Sequence, residues 1–315
     1  MNAQPRPGWL DMPLAVRARI TEQLGARVTA WTNRDSGMMA GYAIQVQTVD
    51  GHLFIKAASG EDPLTQQMYR REAMVAQVLP EGAPAPEFRW VVDEDFGPYG
   101  PWVIIGYGMR PVRMASEPWG LEDIAGAVRV ARIAADLESP GGPHLPPVST
   151  LMPLDAWVDL ADRMPAGLSE YTTWLTGRMD YLAELALGAP EAMQGTRLVH
   201  GTLRRPTVLL PAFPGTEGMG VDWIRAGTGA PFVDLVTLLR FVHAEGGPSP
   251  DLLLTIHPLP PGTDDDAVNA YLSALAGYLV RDSLEPAPPT IPFLRSMQRE
   301  QAHVVIEWLR RRLGH

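Results

Sequence analysis

Apolar side chains alternate with polar ones between residues 27 and 58, and beyond residue 108 they recur at every third or fourth position. This change of period constrains the fold more than any other feature of the chain. Between residues 27 and 58 the sequence runs through VTAWTN, a Ser-Gly-Met-Met-Ala-Gly bridge and then YAIQVQTVDGHLFIKAAS. Tyr42, Ile44 and Val46 share one strand face, and Asp50-Gly51 predicts a tight turn into a second strand over 52–57. A helix is predicted over 62–79, with Met68, Ala73, Val75 and Val78 packing, and strands over 88–92 and 102–107 follow a Pro-rich bridge. Beyond residue 108 the pattern becomes helical. Leu121, Ile124, Val128, Ala131 and Ala135 mark one stripe, and Leu168, Tyr171, Leu175, Met179, Leu182 and Leu185 mark another. Further helices are predicted over 250–257, 264–281 and 291–313, with Ser249 and Thr263 or Asp264 as N-caps. The expected class is α+β in two lobes: a small antiparallel-sheet lobe over 1–107 and a larger, mainly helical lobe over 108–315.

At 315 residues and 46% hydrophobic content the chain can bury a core without staples, and with no cysteine it has neither disulfides nor thiolate chemistry. The start is polar and broken by prolines, and no run approaches the ~20 apolar residues that cross a bilayer. A soluble cytoplasmic protein is therefore expected, with no membrane partner. The 36 acidic and 26 basic residues leave a formal charge of −10, which disfavours nucleic acid over the surface as a whole and makes a cationic small molecule the more natural guest.

One lysine stands in the whole chain, Lys56, on the second strand of the hairpin; every other basic side chain apart from histidine is Arg. A lysine offers a compact point charge that a carboxylate on a neighbouring helix can orient, which a planar guanidinium would not replace. Glu72, on the next predicted helix, is a candidate for that carboxylate. Downstream come LVHGTLRRPTVLL over 198–210, GVDW over 220–223 and GAPFVDL over 229–235. No histidine shares a metal-ligand spacing with carboxylates.

In this order the motifs resemble the aminoglycoside phosphotransferase and choline kinase-like family, across nearly the whole chain. That family's loop reads His-Gly-Asp, then Asn five residues on, followed by a strand and a metal-binding Asp. His200, Gly201 and Asp222 match. Thr202 stands in place of the catalytic Asp and Thr207 in place of the Asn. The resemblance implies a protein kinase-like fold in which Lys56 and Glu72 pair over the nucleotide phosphates. It further implies that Ser36 and Gly37 lie in the turn covering those phosphates, that Ile105, Gly106 and Gly108 lie at the adenine edge, and that Asp234 braces the catalytic loop. Arg204 would stabilise phosphate charge, and His200 would be a scaffold residue. ATP and Mg²⁺ are the implied cofactors, with Asp222 and, weakly, Thr207 as metal ligands.

A threonine hydroxyl is neutral at physiological pH and cannot carry off the proton of an acceptor hydroxyl, a function typically worth ~10²–10⁴-fold in rate. The expectation is a pseudokinase that keeps a nucleotide or small-molecule cleft. A slow ATP-dependent small-molecule phosphotransferase and an interaction protein that binds no nucleotide are the alternatives.

Overall fold

The computed structural model describes residues 6–34, 40–288 and 291–314. Its N-terminal part is built on a five-stranded antiparallel sheet of β1 (Ala30–Asn33), β2 (Tyr42–Thr48), β3 (Gly51–Ser59), β4 (Phe88–Asp95) and β5 (Pro101–Gly108). The spatial order is β1-β2-β3-β5-β4, which puts β2, β3 and β5 in the interior. The hairpin register, with Ala43 opposite Lys56 and Thr48 opposite Gly51, follows from the Asp-Gly turn, where Gly51 takes φ +132°.

Two helices sandwich this sheet. Helix α1 (Leu14–Leu24) lies on one face, where Trp9, Met12, Val16 and Ile20 pack against Ile44, Val46, Ile55, Ala57, Trp102 and Ile104. On the other face, Tyr69 and Ala73 of α2 (Pro63–Val78) pack against Ala58, Val103, Ile105 and Tyr107. The strand alternation decides the partition: Ile55 and Ala57 point to α1, so Lys56 and Ala58 point to α2. The α2 terminus predicted from sequence is found, with the Asp62 carboxylate accepting the Thr65 N–H at 3.1 Å and Pro63 in the first turn. Helix α1 was not anticipated. Its signal, Val16 and Ile20 four apart with Gly25 left-handed after the last turn, is short and set among prolines and arginines.

After β5, a short strand β6 (Val112–Met114) leads into α3 (Leu121–Asp136), α4 (Ala156–Arg163), α5 (Thr173–Thr176), α6 (Met179–Leu187) and α7 (Ala189–Ala192). The stripe from Leu168 to Leu185 does not form one helix. Thr172 is extended and its hydroxyl takes the Trp174 N–H at 3.2 Å, so the chain breaks before α5 and again at Gly177. The apolar positions still turn inward: Leu168, Leu175, Met179 and Leu182 are buried. Strands β7 (Arg197–Val199), β8 (Val208–Pro211), β9 (Met219–Gly220) and β10 (Gly227–Gly229) form two small antiparallel groups, β6-β8-β9 and β10-β7. The chain closes with α8 (Val233–Ala244), α9 (Pro250–Ile256), α10 (Asp265–Ser283) and α11 (Leu294–Arg312). Ser249 and Asp264 cap α9 and α10 as predicted. Every residue of α8 from Val233 to Val242 is buried, so this helix forms the axis of the main core. No helix among the described residues is long and apolar enough to cross a membrane.

Candidate functional site

Three ionised side chains from three elements meet where the sheet faces the small β8–β9 hairpin. Lys56 Nζ, on β3, donates to both oxygens of Glu72 on α2, at 2.7 and 2.6 Å, and also to Asp222 Oδ1. The Tyr107 hydroxyl, on β5, donates to Glu72 Oε1 at 3.1 Å. Lys56 and Glu72 are buried, whereas about a third of the Asp222 side chain (35%) stays exposed. Burial alone would lower the Lys56 amine, but Asp222 and Glu72 overcome it and hold the amine well above its ordinary range. For Asp222 burial acts upward, and the charges of Lys56, Arg204 and Arg6 hold the carboxyl below its usual range. Burial pushes Glu72 up, against the pull of Lys56.

Asp222 owes its position to an unusual backbone. It is one of two non-glycine residues with positive φ (φ 63°, ψ 51°) among those described, a conformation Asp tolerates better than most residues. The Val221 N–H donates to the Thr207 carbonyl at 2.8 Å, tying Asp222 to the 198–210 loop.

That loop is held from behind by α8. The carboxylate of Asp234 accepts the backbone N–H groups of His200 at 2.6 Å and Gly201 at 2.8 Å. Burial still pushes the Asp234 carboxyl up to about 6, since it outweighs those two donors. Gly201 takes φ +80°, and a Cβ there would lie 2.7 Å from the Arg225 carbonyl oxygen, so only glycine fits. The His200 ring is fully buried, 4.5 Å from the Trp223 ring between centroids, and burial lowers its imidazole to about 4. Its Nε2 lies 2.9 Å from the Val221 carbonyl, which can only accept, so Nε2 carries the proton. Nδ1 then accepts from the Thr202 N–H at 3.3 Å. With both nitrogens engaged and the ring neutral, His200 has no free site for taking up a substrate proton.

The two substituted positions differ in orientation. The Thr202 hydroxyl is partly exposed and stands 3.4 Å from His200 Nδ1. Thr207 is buried: its hydroxyl faces the Thr202 carbonyl at 2.7 Å and accepts the Arg204 N–H at 3.1 Å. It caps its own loop, and the oxygen expected to reach a metal is turned inward. Arg204 lies over the Phe241 ring at 6.0 Å, with a guanidinium that burial lowers, and makes no side-chain hydrogen bond among the described residues.

Beside Lys56 opens a cavity of about 530 Å³, within the range of small-molecule pockets. Its walls include Phe54, Tyr69, Tyr107, Met109, Met114, Leu209 and Met219, together with Arg6, Arg34, Arg110 and Arg113. The sequence had pointed to Ile105, Gly106 and Gly108 for the flat-ring edge, and here the structure differs in part. Ile105 and Gly106 sit inside the sheet, opposite Lys56 and Ile55 of β3 on one side and Val91 and Trp90 of β4 on the other. A Cβ on Gly106 would come within 2.4 Å of the Trp90 indole, so this glycine makes room for Trp90. Gly108 does line the cavity, followed by residues 109–114. Those residues were missed, although two arginines flanking Pro111-Val112 directly after the interior strand were a visible signal. Ser36 and Gly37 lie outside the described residues.

The donor set does not fit the Mg²⁺ site that the resemblance implied at Asp222 and Thr207. Among the described residues Asp222 is the one carboxylate of the cavity besides Glu72; Lys56 occupies one of its oxygens, and Lys56 and Tyr107 close Glu72. Among the described residues no group of three or more His, Asp or Glu side chains is placed to hold a metal ion.

No family model and no curated protein matches the sequence. Solved structures do. A thermostable mutant of aminoglycoside phosphotransferase APH(4)-Ia in its apo form superposes with a TM-score of 0.57 at 12% identity, over 95% of this chain and 100% of that one. A Ralstonia eutropha chain provisionally assigned as an aminoglycoside phosphotransferase gives 0.56 at 15% identity, over 94% and 98%. The GDP complex of an aminoglycoside 2'-phosphotransferase-IIIa mutant gives 0.55 at 14%, over 96% and 97%. The chain therefore has the two-lobed kinase-like fold of the aminoglycoside phosphotransferases, as its motifs led one to expect.

Proposed function

We propose that this protein is a nucleotide-binding member of the phosphotransferase fold with little phosphoryl transfer, in which residues 1–107 form the nucleotide lobe and 108–315 the helical lobe. The observation that carries this reading is the unequal state of the two halves of the site. Lys56, Glu72, Tyr107 and Asp222 form a closed hydrogen-bonded set beside an open cavity, while the position for the base holds Thr202. Several solved structures of this fold hold GDP, ADP or AMP-PNP, which supports a nucleotide as the occupant.

Phosphoryl transfer asks for positioned phosphates and a group that takes the acceptor's proton. Lys56 can meet phosphate oxygens as a point charge. Thr202 can orient a hydroxyl by hydrogen bonding and cannot accept its proton at neutral pH. A slow phosphotransferase is the second reading, favoured by Arg204, whose unpaired guanidinium could stabilise a transferring phosphoryl group. For that reading the acceptor is a small hydroxyl compound, in keeping with neighbours that hold kanamycin or hygromycin B.

Calorimetric titration with ATP tests the proposal. Saturable binding by the full chain, abolished in Lys56→Ala, is the expected result. Absence of binding by the parent would remove both nucleotide readings and leave an interaction protein.

A further inference from the structure

The cavity beside Lys56 is the reverse of the chain in charge. The protein as a whole carries −10. Among the described residues the cavity wall carries five basic side chains, Arg6, Arg34, Lys56, Arg110 and Arg113, against two acidic ones, Glu72 and Asp222. Lys56 is already matched by those two acids. The guanidinium of Arg34 donates to the neutral Gln45 side chain at 2.6 Å, and that of Arg110 to the Ala85 carbonyl at 3.0 Å. Neither contact cancels a positive charge. Arg113 does have an acidic partner, Asp123 at 2.7 Å, yet half of its side chain stays exposed at the cavity.

A nucleotide's phosphate chain brings several negative charges that a divalent cation commonly neutralises, and the described residues of this cavity lack the oxygen donors to hold one well. It has guanidinium groups instead, which present several N–H donors in a fixed plane and pair with phosphate bidentately. We infer that the cleft binds a nucleoside di- or triphosphate without a divalent cation, with Arg34, Arg110 and Arg113 supplying the countercharge that a metal ion would otherwise bring. The inference rests on the nucleotide reading above. It also accounts for the inward turn of Thr207: a site that needs no metal needs no ligand at that position.

The test is calorimetric titration of ATP into the full chain, once in EDTA and once in excess MgCl₂. The expected result is a Kd in EDTA within about threefold of that in MgCl₂, rising with added KCl as guanidinium–phosphate contacts are screened. In EDTA, Arg34→Ala and Arg113→Lys are each expected to weaken binding by about tenfold, as for a hydrogen bond to a charged group. Arg34 lies on the exposed edge strand side, and Arg113→Lys keeps a cation near Asp123, so both variants should stay folded. Binding that is at least about tenfold weaker in EDTA than in MgCl₂ overturns the inference and leaves the nucleotide reading standing. Metal-independent binding that neither arginine variant weakens overturns the assignment to the guanidinium groups. No heat under either condition overturns the nucleotide reading and the inference with it.

Discussion

Both carboxylate oxygens of Glu72 accept from the single lysine of the chain, Lys56, at 2.7 and 2.6 Å, across a boundary between a strand and a helix that the backbone brings together from 16 residues apart. The pair is buried, with 9% and 4% of the side chains exposed, so removing one member leaves an uncompensated charge in the interior. Lys56→Ala should therefore cost about 3–5 kcal/mol of stability. The double variant Lys56→Met with Glu72→Leu should recover much of that loss, because the buried carboxylate goes with the amine and the one acid left without its lysine, Asp222, is 35% exposed to solvent. Urea unfolding of the three proteins decides the matter: equal stability of parent and Lys56→Ala would show the pair to be energetically idle.

His200 and Asp234 make opposite contributions to the pH dependence of stability. For His200 the folded pKa, about 4, lies below the ordinary 6.5, so the unfolded chain binds the extra proton and stability falls as pH drops from 6.5 toward 4. For Asp234 the folded value, about 6, lies above the ordinary 3.8, so the folded chain binds the extra proton and stability falls as pH rises from 3.8 toward 6. In the parent the two slopes largely cancel between pH 4 and 6. Asp234→Asn removes one of them. That variant should gain about 3 kcal/mol between pH 4 and 6.5 relative to its own value at pH 4. A flat profile in Asp234→Asn would contradict the buried neutral state assigned to His200.

The loop substitutions predict a gain of function. Thr202→Asp with Thr207→Asn restores a proton acceptor and an amide oxygen to a loop that α8 and the β8–β9 hairpin still hold in place. ATP consumption, followed as ADP release in excess MgCl₂ with a suitable hydroxyl acceptor, should rise by about 10²–10⁴-fold. Equal turnover in parent and double variant would mean that the loop is not what limits phosphoryl transfer.

Gly106 offers a cleaner contrast between packing and ligand binding. With Trp90 only 2.4 Å from the position of a new Cβ, Gly106→Ala should destabilise the sheet by about 1–3 kcal/mol through overpacking. Adding Trp90→Leu should relieve most of that cost. The ATP affinity of the double variant should match the parent's; a large drop in affinity with stability intact would place Gly106 at the ligand after all.

Much of the site was legible before any fold was known, because its chemistry depends on residue types that are rare or patterned in the chain. A lone lysine on an alternating strand, a glutamate on the next helix and the His-Gly loop followed by Asp222 keep their meaning whatever their exact spacing in three dimensions. The two-lobed class was legible for a similar reason, since strands and helices impose periods of 2 and 3.6 on burial. Less could be read where contacts between distant segments decide. Helix α1 and Trp9 cover one face of the sheet, yet their burial depends on residues distant in sequence, among them Ile44, Ile55 and Trp102. The role of Gly106 belongs to Trp90, and the break at Thr172 to a local hydroxyl that competes with the helix.

By itself the sequence determined the two lobes, the order of the motifs and the absence of a carboxylate at position 202, all of which are properties of residues and their neighbours along the chain. Only the tertiary structure decided where the charge goes. The count of −10 describes a surface average and pointed to a cationic guest, whereas folding brings Arg34, Arg110 and Arg113, separated by up to 79 positions, to one cavity. Coulomb interactions depend on distance in space, so a chain can be acidic overall and still present a basic cleft.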